Sequence, residues 1–107
     1  MKKNAAAALT AALLAAAPAA VAADARSENW QTNCSVCHGD DGKGQTEEGK
    51  KKGARDLTNA KWQDKVDDSR MIRSVTKGHD KMPAFEKKLS ADEIKALVAE
   101  VRTLAKK

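Results

Sequence analysis

Two cysteines stand three positions apart with a histidine directly behind them, in Cys34-Ser35-Val36-Cys37-His38, and the chain has no other cysteine and one further histidine, His79. This stretch limits the fold more than any other, because the rest of the sequence offers little from which to build a core. Trp30, Trp62 and Phe85 are the only aromatic residues, and tyrosine is absent. A small domain of this kind usually needs disulfides, a metal or another staple to become stable. Whatever the two thiols and the imidazole hold is expected to supply it.

The first 23 residues differ in kind from the remainder. Met1-Lys2-Lys3 is a short basic start, an alanine and leucine run extends from Ala5 to Ala17, Pro18 follows, and the first acidic residue is Asp24. Ala20-Val21-Ala22-Ala23 puts small residues where cleavage after Ala22 or Ala23 requires them. This is the layout of a secretory signal peptide. Residues 1–23 are therefore expected to be removed, leaving residues 24–107 as one exported, periplasmic domain with no stable membrane insertion. Without Lys2 and Lys3, 18 basic residues face 15 acidic ones. That balance speaks against a nucleic-acid binder, whose basic residues concentrate on one face. Lys50-Lys51-Lys52 directly follows Glu47-Glu48 and reads as a solvated loop face.

The patterning is all-α. Ser27 can cap a short helix that brings Trp30 one turn before Cys34, and Gly39 is expected to end the helix carrying the Cys-His stretch. Residues 45–67 hold few apolar positions and read as a long loop, broken by a short helix near Asn59 to Gln63. Asp67-Asp68-Ser69 then opens a helix containing Met71, Ile72 and Val75, which Gly78 stops. Ser90-Ala91-Asp92-Glu93 is a capping box, followed by Ile94, Leu97, Val98, Val101 and Leu104 at helical spacing. The N-terminal helix is the expected partner of that stripe. Met71 reads as core.

Three kinds of chemistry compete for the cysteines. A structural zinc site needs four ligands, which here would have to be Cys34, Cys37, His38 and His79, with adjacent Cys37 and His38 an awkward pair for one tetrahedral ion. A thioredoxin-like redox pair belongs to a βαβ pattern that this sequence lacks, and a disulfide across so short a ring stabilises little. The third is attachment of a c-type haem, for which Cys-x-x-Cys-His is the signature: two thioethers from Cys34 and Cys37, with His38 as proximal iron ligand. Export fits that reading. Met82, held extended by Pro83, supplies a soft thioether as distal ligand. His79 is its rival for the position.

With these residues in place, the chain resembles small monohaem class I cytochromes c. The resemblance rests on Trp30, Cys34-Ser35-Val36-Cys37-His38-Gly39, Asp41-Gly42-Lys43-Gly44, Asp56-Leu57-Thr58, Met82-Pro83-Ala84-Phe85 and Leu89-Ser90. It implies about four helices around one covalent haem c, with the N- and C-terminal helices crossing, and single-electron transfer without bond chemistry. Two positions depart from the pattern. Arg55 stands where proline is frequent, in the loop whose carbonyl accepts a hydrogen bond from the proximal histidine. Glu100 stands near a position that is often aromatic, implying a less tightly packed helix crossing.

The expected role is that of a monomeric periplasmic carrier, docked transiently on acidic surfaces of redox proteins through lysines such as Lys43, Lys81, Lys87 and Lys88. The alternative is a haem-bearing subunit of a larger oxidoreductase. A sensor would need an open axial position, which rapid carbon monoxide binding would reveal. Arg55, Trp62 and Arg73 are candidates for the haem propionates by side-chain type.

Overall fold

The computed structural model describes residues 25–106. The expected signal peptide, residues 1–23, lies outside the described residues, as do Asp24 and Lys107. Six helical segments follow in order: α1 (Glu28–Asn33), α2 (Ser35–His38), α3 (Glu47–Lys52), α4 (Ala60–Lys65), α5 (Asp68–Lys77) and α6 (Ala91–Arg102). Among the described residues the only β feature is an isolated antiparallel bridge between His79 and Met82.

The count exceeds four for two local reasons. Cys34, with φ −113° and ψ −35°, interrupts the first helix and divides it into α1 and α2. The other reason is α3, a helix where the sequence reads as loop. Its end signals are strong: the Thr46 side chain accepts from Gly49 N, Glu47 and Glu48 occupy the first turn, Lys50, Lys51 and Lys52 the last, and Gly53 closes it at φ +68°. Acidic residues at the positive end and basic residues at the negative end both favour a helix. The polar composition that reads as loop is that of a helix exposed on one side.

The remaining elements follow their local signals. Ser27 caps α1 by accepting from Trp30 N, and Asn59 caps α4 by accepting from Trp62 N. Asp67 caps α5, and Gly78 ends it at φ +86°. Ser90 and Glu93 form the full capping box of α6. The apolar stripe of α6 faces two ways. Ile94 and Leu97, with Leu104 just past the helix, join Trp30, Leu57, Phe85 and Leu89, while Val98 packs with Val66 and Met71. The last helix therefore rests on α5 as well as α1, and Met71, 6% exposed, is core as expected.

The crossing of α1 and α6 is held by a polar tie. Glu100 Oε2 accepts from Ser27 N at 2.9 Å and Oε1 accepts from Ser27 Oγ at 2.7 Å. The carboxylate thus satisfies a donor at the start of α1 while Ser27 Oγ accepts from Trp30 N. A specific link replaces the aromatic packing that the resemblance implies.

Candidate functional site

A cavity of about 300 Å³ opens between the cysteine-bearing segment, the stretch from Lys52 to Val66, α5 and the turn at His79–Met82. Cys34, Cys37, His38 and Met82 all line it, and so does His79. The residues singled out in the sequence are thus brought to one place, although Met82 and His79 reach it from a segment far along the chain.

The segment Cys34 to His38 is fixed on every side that faces protein. Trp30, 1% exposed, donates from Nε1 to Gly39 O at 3.1 Å. Gly44 N donates to His38 O at 2.9 Å. The Thr46 hydroxyl shares its proton between Val36 O at 2.7 Å and Cys37 O at 3.0 Å. These donors take up carbonyls that a four-residue helix leaves unpaired at its C-terminus. Gly49 lets α3 approach closely, since a Cβ there would stand 2.1 Å from Cys37 O. Sequence reasoning overlooked both Thr46 and Gly49. A capping threonine with glycine three residues later, eight positions after His38, was the available signal.

His38 Nδ1 lies 3.1 Å from Arg55 O. A carbonyl can only accept, so Nδ1 carries the proton and Nε2 is left with its lone pair. Burial pushes the His38 pKa below its ordinary value, with the Arg55 hydrogen bond opposing the shift. The imidazole is therefore a neutral donor with one free nitrogen, the form in which histidine binds a metal. Replacing proline by Arg55 preserves the carbonyl contact, as expected, and adds a guanidinium 4.9 Å from the Trp62 ring centroid.

Cys34 and Cys37 are not joined to each other by a disulfide. Burial, then the charge of Glu100, pushes the Cys34 pKa up to about 11. It is thus a neutral thiol at physiological pH, unlike the depressed thiols of redox-active pairs. Two unbridged cysteines and a neutral imidazole on one apolar cavity wall fit a covalently attached haem. Cys34 and Cys37 would hold the group through thioethers, and His38 would ligate its iron.

Met82 is placed by a two-residue turn. His79 N donates to Met82 O at 3.0 Å, Met82 N donates to His79 O at 2.8 Å, and Asp80 between them adopts φ +53°. Gly78 permits the approach, because a Cβ there would meet Met82 O at 2.8 Å. Phe85 N then donates to Val75 O and anchors the loop to α5. Met82 packs against the main core cluster, whereas the His79 side chain is 63% exposed and pairs with Asp80. The two candidates for the distal position differ in that respect.

The surroundings alter the remaining expectations. Arg55 and Trp62 line the cavity, but Arg73 does not, and Arg70 takes its place. Helical spacing accounts for the exchange: residues 70, 71, 74 and 75 share a face of α5, and 73 points away. Of the lysines expected near the site only Lys81 lines it, joined by Lys52 from α3. Lys43, Lys87 and Lys88 lie elsewhere, Lys88 with Nζ 5.8 Å from the Phe85 ring centroid. Among the described residues no helix is long and apolar enough to cross a membrane.

The chain is similar to known proteins of one family. The family described as cytochrome c oxidase, cbb3-type, subunit III matches residues 21–99. The cbb3-type cytochrome c oxidase subunit FixP of Azorhizobium caulinodans is 38% identical over 84 residues, 78% of this chain and 27% of that protein. Subunit CcoP of Azospirillum brasilense is 31% identical over 86 residues, 79% of this chain and 29% of that protein. The chain therefore spans little more than a quarter of the length of these curated relatives. A solved structure of the KustC0563 c-type cytochrome superposes with a TM-score of 0.68 at 40% identity, over 72% of this chain and 93% of that one.

Proposed function

We propose, from the premise that this chain belongs to the cytochrome c family typified by cbb3-type cytochrome c oxidase subunit III, that it is a single-electron-transfer domain. It binds one haem c through Cys34 and Cys37, with His38 as proximal and Met82 as distal iron ligand. The observation that carries the reading is the His38 hydrogen bond to Arg55 O, which fixes a neutral imidazole beside two unbridged cysteines on the wall of one cavity. When bound, the haem iron supplies one-electron exchange between its ferrous and ferric states.

The protein's own residues set the conditions for that exchange. Trp30, Thr46 and Gly44 hold the Cys-His segment in one orientation. The turn at Gly78–Met82 presents the thioether, and Leu57, Val66, Met71, Leu97 and Val98 keep the cavity wall apolar. A thioether ligand and a low-dielectric pocket both favour the reduced state and raise the potential.

The oxidase-subunit relatives support work within or beside a terminal oxidase, rather than as a wholly free carrier. The cavity rim suits docking on an acidic protein surface, since Lys52, Arg55, Arg70 and Lys81 line it against Asp80 alone among acidic residues. A free monomeric carrier in the periplasm is the second reading. One observation favours it: Val36, 59% exposed, is the only exposed large hydrophobic side chain among the described residues. A permanent interface is normally more apolar than that.

A redox titration of the exported protein, followed by visible and near-infrared spectra, tests the cofactor and its ligands. Covalent haem with a sulfur-to-iron band in the oxidised state, lost in Met82→Ala and kept in His79→Ala, is the expected result. Loss of the band in His79→Ala alone, or its absence from the native protein, would move the distal assignment away from Met82. Detergent extraction and size-exclusion chromatography separate the partner readings: co-elution with an oxidase supports the first and elution near the monomer mass the second. The mass of the exported chain tests cleavage after Ala22 or Ala23.

A further inference from the structure

We infer that Arg102 and Gln63, at the far side of the cavity wall from the cysteines, act as a clasp that positions the Arg55 carbonyl and through it the His38 imidazole. The inference rests on the haem-binding reading above and names residues that neither touch the cavity nor belong to the Cys-His or methionine motifs.

The stretch from Arg55 to Asp68 is one wall of the cavity, contributing Arg55, Leu57, Trp62 and Val66. Its only regular element is α4, six residues long. A helix that short is marginal by itself. What fixes this wall is the C-terminal end of α6. Arg102 Nη1 donates to Gln63 O at 2.6 Å, Nη2 donates to Val66 O, and Nε pairs with Asp68 Oδ1 at 2.9 Å. One guanidinium thus takes up carbonyls at the end of α4 and a carboxylate at the start of α5. Its planar fork suits that task in a way an ammonium does not.

Gln63 continues the connection inward. It is 5% exposed, and its amide donates from Nε2 to Leu57 O at 2.7 Å and to Val101 O at 2.8 Å. Leu57 N donates to Gly42 O at 2.7 Å, so Leu57 is held through both backbone groups. Lys106 N adds a bond to Thr58 O at 2.8 Å. Arg55 O, two residues before Leu57, therefore projects from a fixed anchor. Without the clasp, carbonyls at Gln63 and Val66 lose their partners in a partly buried place, and the wall must shift to find water for them. The His38 Nδ1–H bond to Arg55 O is the contact this shift would loosen. Hydrogen bonds from outside the ligand shell tune the basicity of a ligating imidazole and hence the potential.

A residue acting through another must move something that general destabilisation does not. The test uses the haem-loaded protein with Arg102→Met, which keeps the apolar stem, and Arg102→Lys, which keeps the charge but not the fork. Ile94→Val serves as control, because Ile94 is buried on the same helix and does not line the cavity. Two quantities are read: the solvent exchange rate of the His38 ring Nδ1 proton by NMR on the reduced protein, and the ratio of oxidised to reduced protein at a fixed ambient potential. Arg102→Met is expected to raise the exchange rate tenfold or more and to change the ratio at least threefold, with Arg102→Lys between it and the native protein. Ile94→Val should leave both within twofold. If Arg102→Met cannot be loaded with haem, Arg102→Lys decides alone, with a threefold rise in exchange as its threshold. Smaller changes, or equal changes in Ile94→Val, would overturn the clasp while leaving the haem reading intact. A native protein without covalent haem would remove both.

Discussion

Gly49 offers a test in which two physical rules predict opposite signs. It lies inside α3, where alanine is ordinarily better than glycine by roughly 1 kcal/mol, so helix propensity predicts that Gly49→Ala stabilises. The packing predicts the reverse. The added Cβ would stand 2.1 Å from Cys37 O and 2.8 Å from Gly44 O, both backbone atoms that no side-chain rotation can move aside. Relief requires α3 to back away from α2 by about an ångström, and overpacking of that kind costs about 1–3 kcal/mol. The retreat also stretches, without breaking, the Thr46 bonds to Val36 O and Cys37 O, a further loss of about 1 kcal/mol for the two together. Against the propensity gain the balance is a loss of about 2 kcal/mol. At about 4–8 °C per kcal/mol for a domain of this size, that lowers the melting temperature by roughly 8–16 °C. Paired thermal and denaturant unfolding of native and Gly49→Ala protein measures it, and Gly53→Ala, where a Cβ meets nothing within 4 Å but φ is +68°, is expected to show backbone strain of about 1–2 kcal/mol alone. A melting temperature equal to or above the native one would show that α3 does not pack on the Cys-His segment as described.

Three further outcomes are expected. Trp30→Phe removes the donor to the buried Gly39 carbonyl and should cost about 1–3 kcal/mol in urea unfolding; a cost near zero would mean the carbonyl finds water. The Asp56 pKa is held below its ordinary value of 3.8, first by the Thr58 hydroxyl, so its contribution is fully present above that pH and fades as pH falls through the lower folded value. The stability gap between native and Asp56→Asn protein should therefore be constant at neutral pH and close below pH 3.8, and a gap unchanged in acid would contradict the assignment. Lys52→Glu should slow reaction with an acidic redox partner several-fold at low salt, and Lys87→Glu should have less effect; equal effects would remove the cavity rim as the docking surface.

Local signals were legible in the sequence wherever the physics is local. Ser27, Asp67 and Ser90 cap the helices they precede, and Gly39 and Gly78 stop the helices they follow. The approach of Met82 and His79 to the cavity was also readable from the residues, although which of them would serve as distal ligand to a haem is a matter of chemistry that spacing does not decide. The misreadings share a cause. α3 was obscured because its side chains are mostly polar, and an apolar period is a poor detector of a helix that packs through a glycine and a threonine. Arg70 was passed over for Arg73 because side-chain type was weighed before helical phase. Glu100 reads as the loss of an aromatic contact, whereas its partner is a serine 73 positions away, which no local pattern reveals.

That last pairing has a consequence for the order in which the molecule forms. The local N-cap of α1, Ser27 Oγ accepting from Trp30 N, is itself fastened by a carboxylate 73 positions later in the chain. Closing so large a loop is entropically slow, and Glu100 is expected to reach Ser27 late in folding. Until it does, α1 rests on its local cap alone and is expected to fray more readily. The tie between α1 and α6 is thus expected to form among the last contacts of the domain, as a lock on the helix pair rather than as its nucleus.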